Sequence, residues 1–106
     1  MRMGLMLATL LVTGCTVDEQ TLVDRWDTFV AENNSCAVDT DCAVVYPGCP
    51  LGCYDAVSTD AVDEAEAEAD RILRIYRRPG RGCDYDCTQN DPPTCEAGTC
   101  QVTSSE

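Results

Sequence analysis

The sequence contains no histidine and no lysine. Without histidine there is no Ser-His-Asp triad, no Cys-His couple and no imidazole-ligated metal. Seven basic side chains, all arginine, stand against 19 acidic ones, for a formal charge of -12. That balance excludes the basic surface with which a protein displaces counterions from nucleic acid. Aromatic residues are scarce, with one Trp and one Phe. No apolar run approaches the roughly 20 residues that cross a bilayer as a helix. At 106 residues the chain makes one domain. A core this thin rarely offsets backbone entropy on its own. What the chain has instead is cysteine, nine in all, the density of a disulfide scaffold.

The first of these cysteines is set apart. Met1-Arg2 is followed by an apolar stretch from Met3 to Val12, then Thr13-Gly14-Cys15. One positive charge, about ten apolar residues and a small-residue break form a secretory signal. A plain signal needs no thiol after its small residues. Val12-Thr13-Gly14-Cys15 resembles the lipobox of bacterial lipoproteins. The resemblance implies a diacylglycerol on the Cys15 sulfur, loss of residues 1–14, and acylation of the new amino terminus by a palmitate-type chain. Acyl burial contributes about 0.8 kcal/mol per methylene, so two or three chains anchor firmly. Thr16 stands where an aspartate would imply inner-membrane retention, so the resemblance implies the outer membrane.

Removal of residues 1–14 takes away Arg2 and leaves six arginines against 19 acids. It also leaves an even set of cysteines besides Cys15: Cys36, Cys42, Cys49, Cys53, Cys83, Cys87, Cys95 and Cys100. In an exported domain these predict four disulfides. Spacing alone leaves the connectivity open. The reading adopted is that bonds between the 49/53 pair and the 83/87 pair clamp the helix between them.

Residues 15–20 read as a lipidated tether, 21–103 as the eight-cysteine domain and 104–106 as a loose tail. Leu22, Trp26, Phe29 and Val30 fall on one helical face, with Asp18 and Glu19 suited to its start and Asn33-Asn34-Ser35 to its stop. Cys42 to Tyr46 and Tyr54 to Val57 predict a hairpin around a Pro- and Gly-rich turn. A second helix over 60–78 is capped from Ser58, Thr59 or Asp60 and buries Val62, Ala65, Ala69, Ile72, Leu73 and Tyr76. Its acids precede its bases, in step with the helix dipole, and Glu68–Arg71 and Asp70–Arg74 are favourable spacings. Pro79-Gly80 ends it. Cys95 to Cys100 predicts a tight turn opening a last strand. The fold class expected is α+β: a small disulfide-rich domain with two helices against a short antiparallel sheet.

The cysteine spacing from Cys36 to Cys100, with Asp41-Cys42, Gly48-Cys49-Pro50-Leu51-Gly52-Cys53-Tyr54, Cys83-Asp84-Tyr85-Asp86-Cys87 and Cys95-Glu96-Ala97-Gly98-Thr99-Cys100, resembles an uncharacterised eight-cysteine-cluster domain of predicted lipoproteins of myxobacterial type. The resemblance covers about two thirds of the chain and implies no activity.

Four constellations invite chemistry. Cys49, Cys53, Cys83 and Cys87 have zinc-compatible spacing, but export favours bridges over thiolates. No Cys-x2-Cys redox motif is present. Asp39 with Asp41, and Asp84 with Asp86, lack the glycine and terminal glutamate of a calcium loop and read as solvated charge. Arg71, Arg74, Arg77, Arg78 and Arg81 make a local positive end, read as dipole-matched charge at a helix terminus, with anionic headgroups as the rival partner. The turn-rich segment 46–54 is a candidate recognition loop through Pro47, Pro50 and Leu51, with Leu51 the side chain expected to be presented.

The sequence therefore predicts no enzyme, catalytic residue, cofactor or metal. It predicts a cell-envelope lipoprotein, a binding or structural module held by its lipid anchor, with an envelope protein as the candidate partner. The alternative is a protease-inhibitor-like module acting through loop 46–54.

Overall fold

A computed structural model describes residues 17–78, 80–88 and 91–102. The expected signal peptide, Cys15 and the tail 104–106 lie outside the described residues.

Helix α1 spans Glu19–Glu32 and helix α2 spans Val62–Arg77. Two antiparallel hairpins accompany them: β1 (Cys42–Val45) with β2 (Asp55–Ser58), and β3 (Thr94–Glu96) with β4 (Thr99–Gln101). The molecule is thus a small disulfide-rich α+β domain. The expected single sheet is two two-stranded ones. Residues 33–36 run between them: Ser58 N–H donates to the Asn33 carbonyl at 2.8 Å and Cys100 N–H to the Asn34 carbonyl at 2.8 Å. This connecting segment takes the edge bonds that would otherwise join β2 to β4 directly.

The apolar stripe of α1 buries Leu22 and Trp26 against Val45, Val57, Ile72 and Tyr76. Leu22, Trp26, Val45, Val57 and Ile72 lose essentially all solvent contact, each worth about 1.5–3 kcal/mol of apolar transfer. Asn33 ends α1 as expected, its side-chain amide donating to the Phe29 carbonyl at 2.8 Å. The expected side-chain cap of α2 does not form. Thr59–Ala61 makes a 3-10 turn leading into the helix, and the Ser58 hydroxyl donates instead to the Ser35 carbonyl at 2.7 Å.

The helices run antiparallel, because Arg25 in α1 meets Glu68 in the middle of α2 while Val17 meets Arg81 beyond the end of α2. Glu68 is 9% exposed. Its carboxylate receives Arg25 Nε at 2.7 Å and Arg71 Nη2 at 3.1 Å. The Arg25 hydrogen bond is the main reason that its carboxyl sits below the usual range. The pair therefore adds stability above the ordinary carboxylate pKa and loses it as pH falls through the lowered value. The other expected helix pair, Arg74 with Asp70, forms at 2.7 Å on the surface and adds little.

The bridges are Cys36–Cys95, Cys42–Cys100, Cys49–Cys83 and Cys53–Cys87. The last two join the 49/53 pair to the 83/87 pair, as the clamp reading expected. The first two fasten the β3–β4 hairpin to the segment before β1 and to the start of β1 itself, where Cys42, Ala56 and Cys100 form a second small core. Ala97 and Gly98 both have positive φ, the backbone of a two-residue hairpin turn matched to strand twist.

One boundary moves. The tether was expected to run to residue 20, but α1 already begins at Glu19 and Val17 packs against the core. The folded body therefore includes residue 17, two positions beyond Cys15.

Candidate functional site

The expected recognition loop is rigid, but it presents a different side chain. Gly48 N–H donates to the Gly52 carbonyl at 3.0 Å, and Leu51 N–H donates to the Gly48 carbonyl at 2.7 Å. Cys49 and Cys53 fix its two sides to Cys83 and Cys87. Gly48 has φ +97°, and a Cβ there would lie 3.1 Å from Leu73 Cδ1, so the turn lies directly on α2. That packing reverses the expectation for Leu51. It is 8% exposed and belongs to the main core. Pro47 is buried as well, and Pro50 is half-buried. The exposed side chain is Tyr46, at 68%, with Tyr54 edge-on to it at 5.2 Å between ring centroids. An exposed ring braced by a half-buried one binds at low entropic cost, because few rotamers are lost.

Beneath this loop lies the half-buried carboxylate Asp55. Trp26 Nε1–H donates to its Oδ2 at 2.7 Å. Burial, reinforced by the nearby Asp27 charge, holds the Asp55 carboxyl above the usual range despite that bond. The folded protein thus takes up this proton more readily than the unfolded chain. Ionised Asp55 consequently lowers stability at neutral pH, and the penalty disappears as pH falls through the raised value. Asp55→Asn keeps an acceptor for the indole and removes the charge. Its urea midpoint should exceed that of the parent at pH 7 and converge with it in acid. A midpoint below the parent at pH 7 would show that the charged bond outweighs burial.

At the other end of the helix pair is a polar hollow of about 560 Å³, lined by Glu32, Asn33, Asp41, Ser58, Asp60 and Glu64 among others. Glu32, Asp60 and Glu64 are exposed. Asp41 is already engaged: Oδ2 accepts the Ala37 and Val38 N–H groups at 2.8 and 3.1 Å, which holds its carboxyl below the usual range. Asp39 Oδ1 accepts Cys95 N–H at 2.8 Å. The two aspartates therefore brace the turn and the hairpin while their charge stays at the solvated surface, as expected. Asp84 and Asp86 are exposed, as expected.

The sulfurs of Cys36, Cys42 and Cys100 lie within 4.8 Å of one another. That approach would suit a thiolate site, but each sulfur is committed to a bridge and has no thiolate to offer. The candidate quartet Cys49, Cys53, Cys83 and Cys87 is committed in the same way.

The arginine group divides into three uses. Arg71 and Arg74 pair with acids on α2. Arg81 closes the end of the helix, with Nε donating to the Tyr76 carbonyl at 3.0 Å, Nη2 to the Val17 carbonyl at 3.0 Å, and the guanidinium 4.3 Å above the Tyr76 ring. Arg77 and Arg78 are exposed and have no side-chain partner among the described residues. The sequence groups Arg81 with the dipole-matched charges of the helix terminus. Nothing in its spacing could reveal a carbonyl 64 residues away.

Fold and sites together define a small, bridge-stabilised α+β domain. No family model, curated protein or solved structure matches the chain. Among the described residues no helix is long and apolar enough to cross a membrane.

Proposed function

We propose that the protein is a non-enzymatic, lipid-anchored module of the cell envelope, fastened through Cys15 and sorted to the outer membrane. The observation that carries this reading is the solitude of Cys15. The other eight cysteines are paired off by position and geometry in four bridges, so the ninth has no intramolecular mate. It follows Val12-Thr13-Gly14 at the end of an apolar signal. The oxidised state of the domain fits an exported protein.

Within this reading the binding surface is the edge formed by Tyr46 and Tyr54. It is the large exposed aromatic feature of a loop held on both sides by disulfides. A protease-inhibitor-like use of the same loop would present Tyr46, since Leu51 faces the core.

The test is intact mass and detergent-phase partition of protein purified from its native cells. The expected product lacks residues 1–14, carries diacylglycerol and an acyl chain on Cys15, and enters the detergent phase of a Triton X-114 separation. Cys15→Ser should move it to the aqueous phase almost completely. A retained start methionine or an unmodified Cys15 would end the proposal.

A further inference from the structure

The Arg81–Val17 contact joins two features that the sequence keeps far apart. Val17 is the described residue closest in sequence to Cys15. Two residues reach at most about 7 Å, so the Cys15 Cα lies within that distance of Val17 whatever path the chain takes. Val17 itself is pinned, packed on the core and bonded through its carbonyl to Arg81 Nη2 at 3.0 Å. Arg81 in turn holds the Tyr76 carbonyl, at the last turn of α2. Arg77 and Arg78, exposed and unpaired among the described residues, follow Tyr76 directly.

We infer that Arg77 and Arg78 contact the phosphates of anionic lipid headgroups and set the standing orientation of the domain on the leaflet. The inference rests on lipidation at Cys15 and adds a second contact to it. The anchor brings the arginine end of α2 to the headgroup layer, where an unpaired guanidinium meets phosphate in its preferred forked geometry. Asp18 and Glu19 share this end and oppose the attraction. The charge of the rest of the molecule reinforces the orientation. The acidic hollow of Glu32, Asp60 and Glu64 lies at the opposite end of the antiparallel pair. The 16 residues of α2 separate the two ends by about 24 Å, beyond the Debye length in physiological salt. An anionic surface therefore attracts one end and repels the other.

The experiment uses the mature lipidated protein, reconstituted into phosphatidylcholine vesicles with and without 30% phosphatidylglycerol. Vesicles are floated, arginines are modified with phenylglyoxal, and each site is quantified by peptide mass spectrometry. On phosphatidylglycerol vesicles Arg77 and Arg78 should react about fivefold more slowly than in detergent micelles, and half-molar salt should restore them. Arg25, held by Glu68, should react alike in all preparations. The surface variant R77E/R78E should float equally well but lose the slowed amide exchange that the parent shows at Gly80–Gly82 on these vesicles. Protein that fails to float lacks its anchor, and overturns both this inference and the function it rests on. Protein that floats with Arg77 and Arg78 fully reactive overturns the headgroup contact alone. So does equal slowing on both vesicle types, which would reflect proximity without charge.

Discussion

Replacing Cys42 and Cys100 by alanine is expected to lower the unfolding free energy by about 3 kcal/mol, and replacing Cys36 and Cys95 as well by about 4 kcal/mol more. The second loss exceeds the first because the two bridges run side by side. They span 58 and 59 residues, and each closes nearly the same loop. While one remains, opening the other frees only the short circuit between them, about a dozen residues, so little chain entropy is regained. Once both are open, the segments on either side of the Cys49–Cys83 and Cys53–Cys87 bridges are released, a circuit of about two dozen residues. A combined loss of about 7 kcal/mol uses up the whole stability of a small domain near the low end of the usual range of about 5–15 kcal/mol. The two-cysteine variant should therefore remain folded, and the four-cysteine variant should be unfolded without denaturant. Urea titration followed by circular dichroism measures both. A four-cysteine variant with a cooperative transition near that of the parent would refute the account.

Trp26→Ala should cost about 3–5 kcal/mol, the range for deleting a large buried aromatic. Trp26 is fully buried between the helices and β2, stacked on Phe29 with ring centroids 5.7 Å apart and planes 13° from parallel. Alanine removes that packing and leaves Asp55 without its donor. Trp26→Phe separates the two effects. It keeps most of the apolar volume and loses the hydrogen bond, at about 1–2 kcal/mol. Thermal and urea unfolding of the two variants at pH 7 measure the difference. Equal costs would mean that the indole N–H, and not the ring, carries the position.

Both helices were legible because their apolar residues recur at helical spacing over several turns, and the first hairpin because Gly48 and Gly52 punctuate two β-branched runs. The clamp from 49/53 to 83/87 was a guess and not a derivation, because eight cysteines allow 105 connectivities and their spacing selects none. Direction within a turn was not legible. Leu51 sits among turn formers, where no periodicity says which way a side chain points, and its burial follows from the close seating of Gly48 on Leu73. Glu68 reads as one more surface acid in an acidic run, yet it is the buried member of an ion pair whose other half lies 43 residues away. Such long-range partners leave no local mark in a single sequence.

The rings closed by the four bridges together enclose everything from Cys36 to Cys100. Hydrolysis of any one peptide bond inside that interval liberates no fragment, since each side remains hooped to the other through sulfur. Among the described residues upstream of Cys36 no bridge closes a ring, and α1 is most of them. After scission there, only noncovalent contacts hold the pieces together, among them the packing of Leu22 and Trp26 and the Arg25–Glu68 pair. With the proposed anchor at Cys15, such a cut would leave a stub there and let the hooped remainder diffuse away whole, tyrosine edge included.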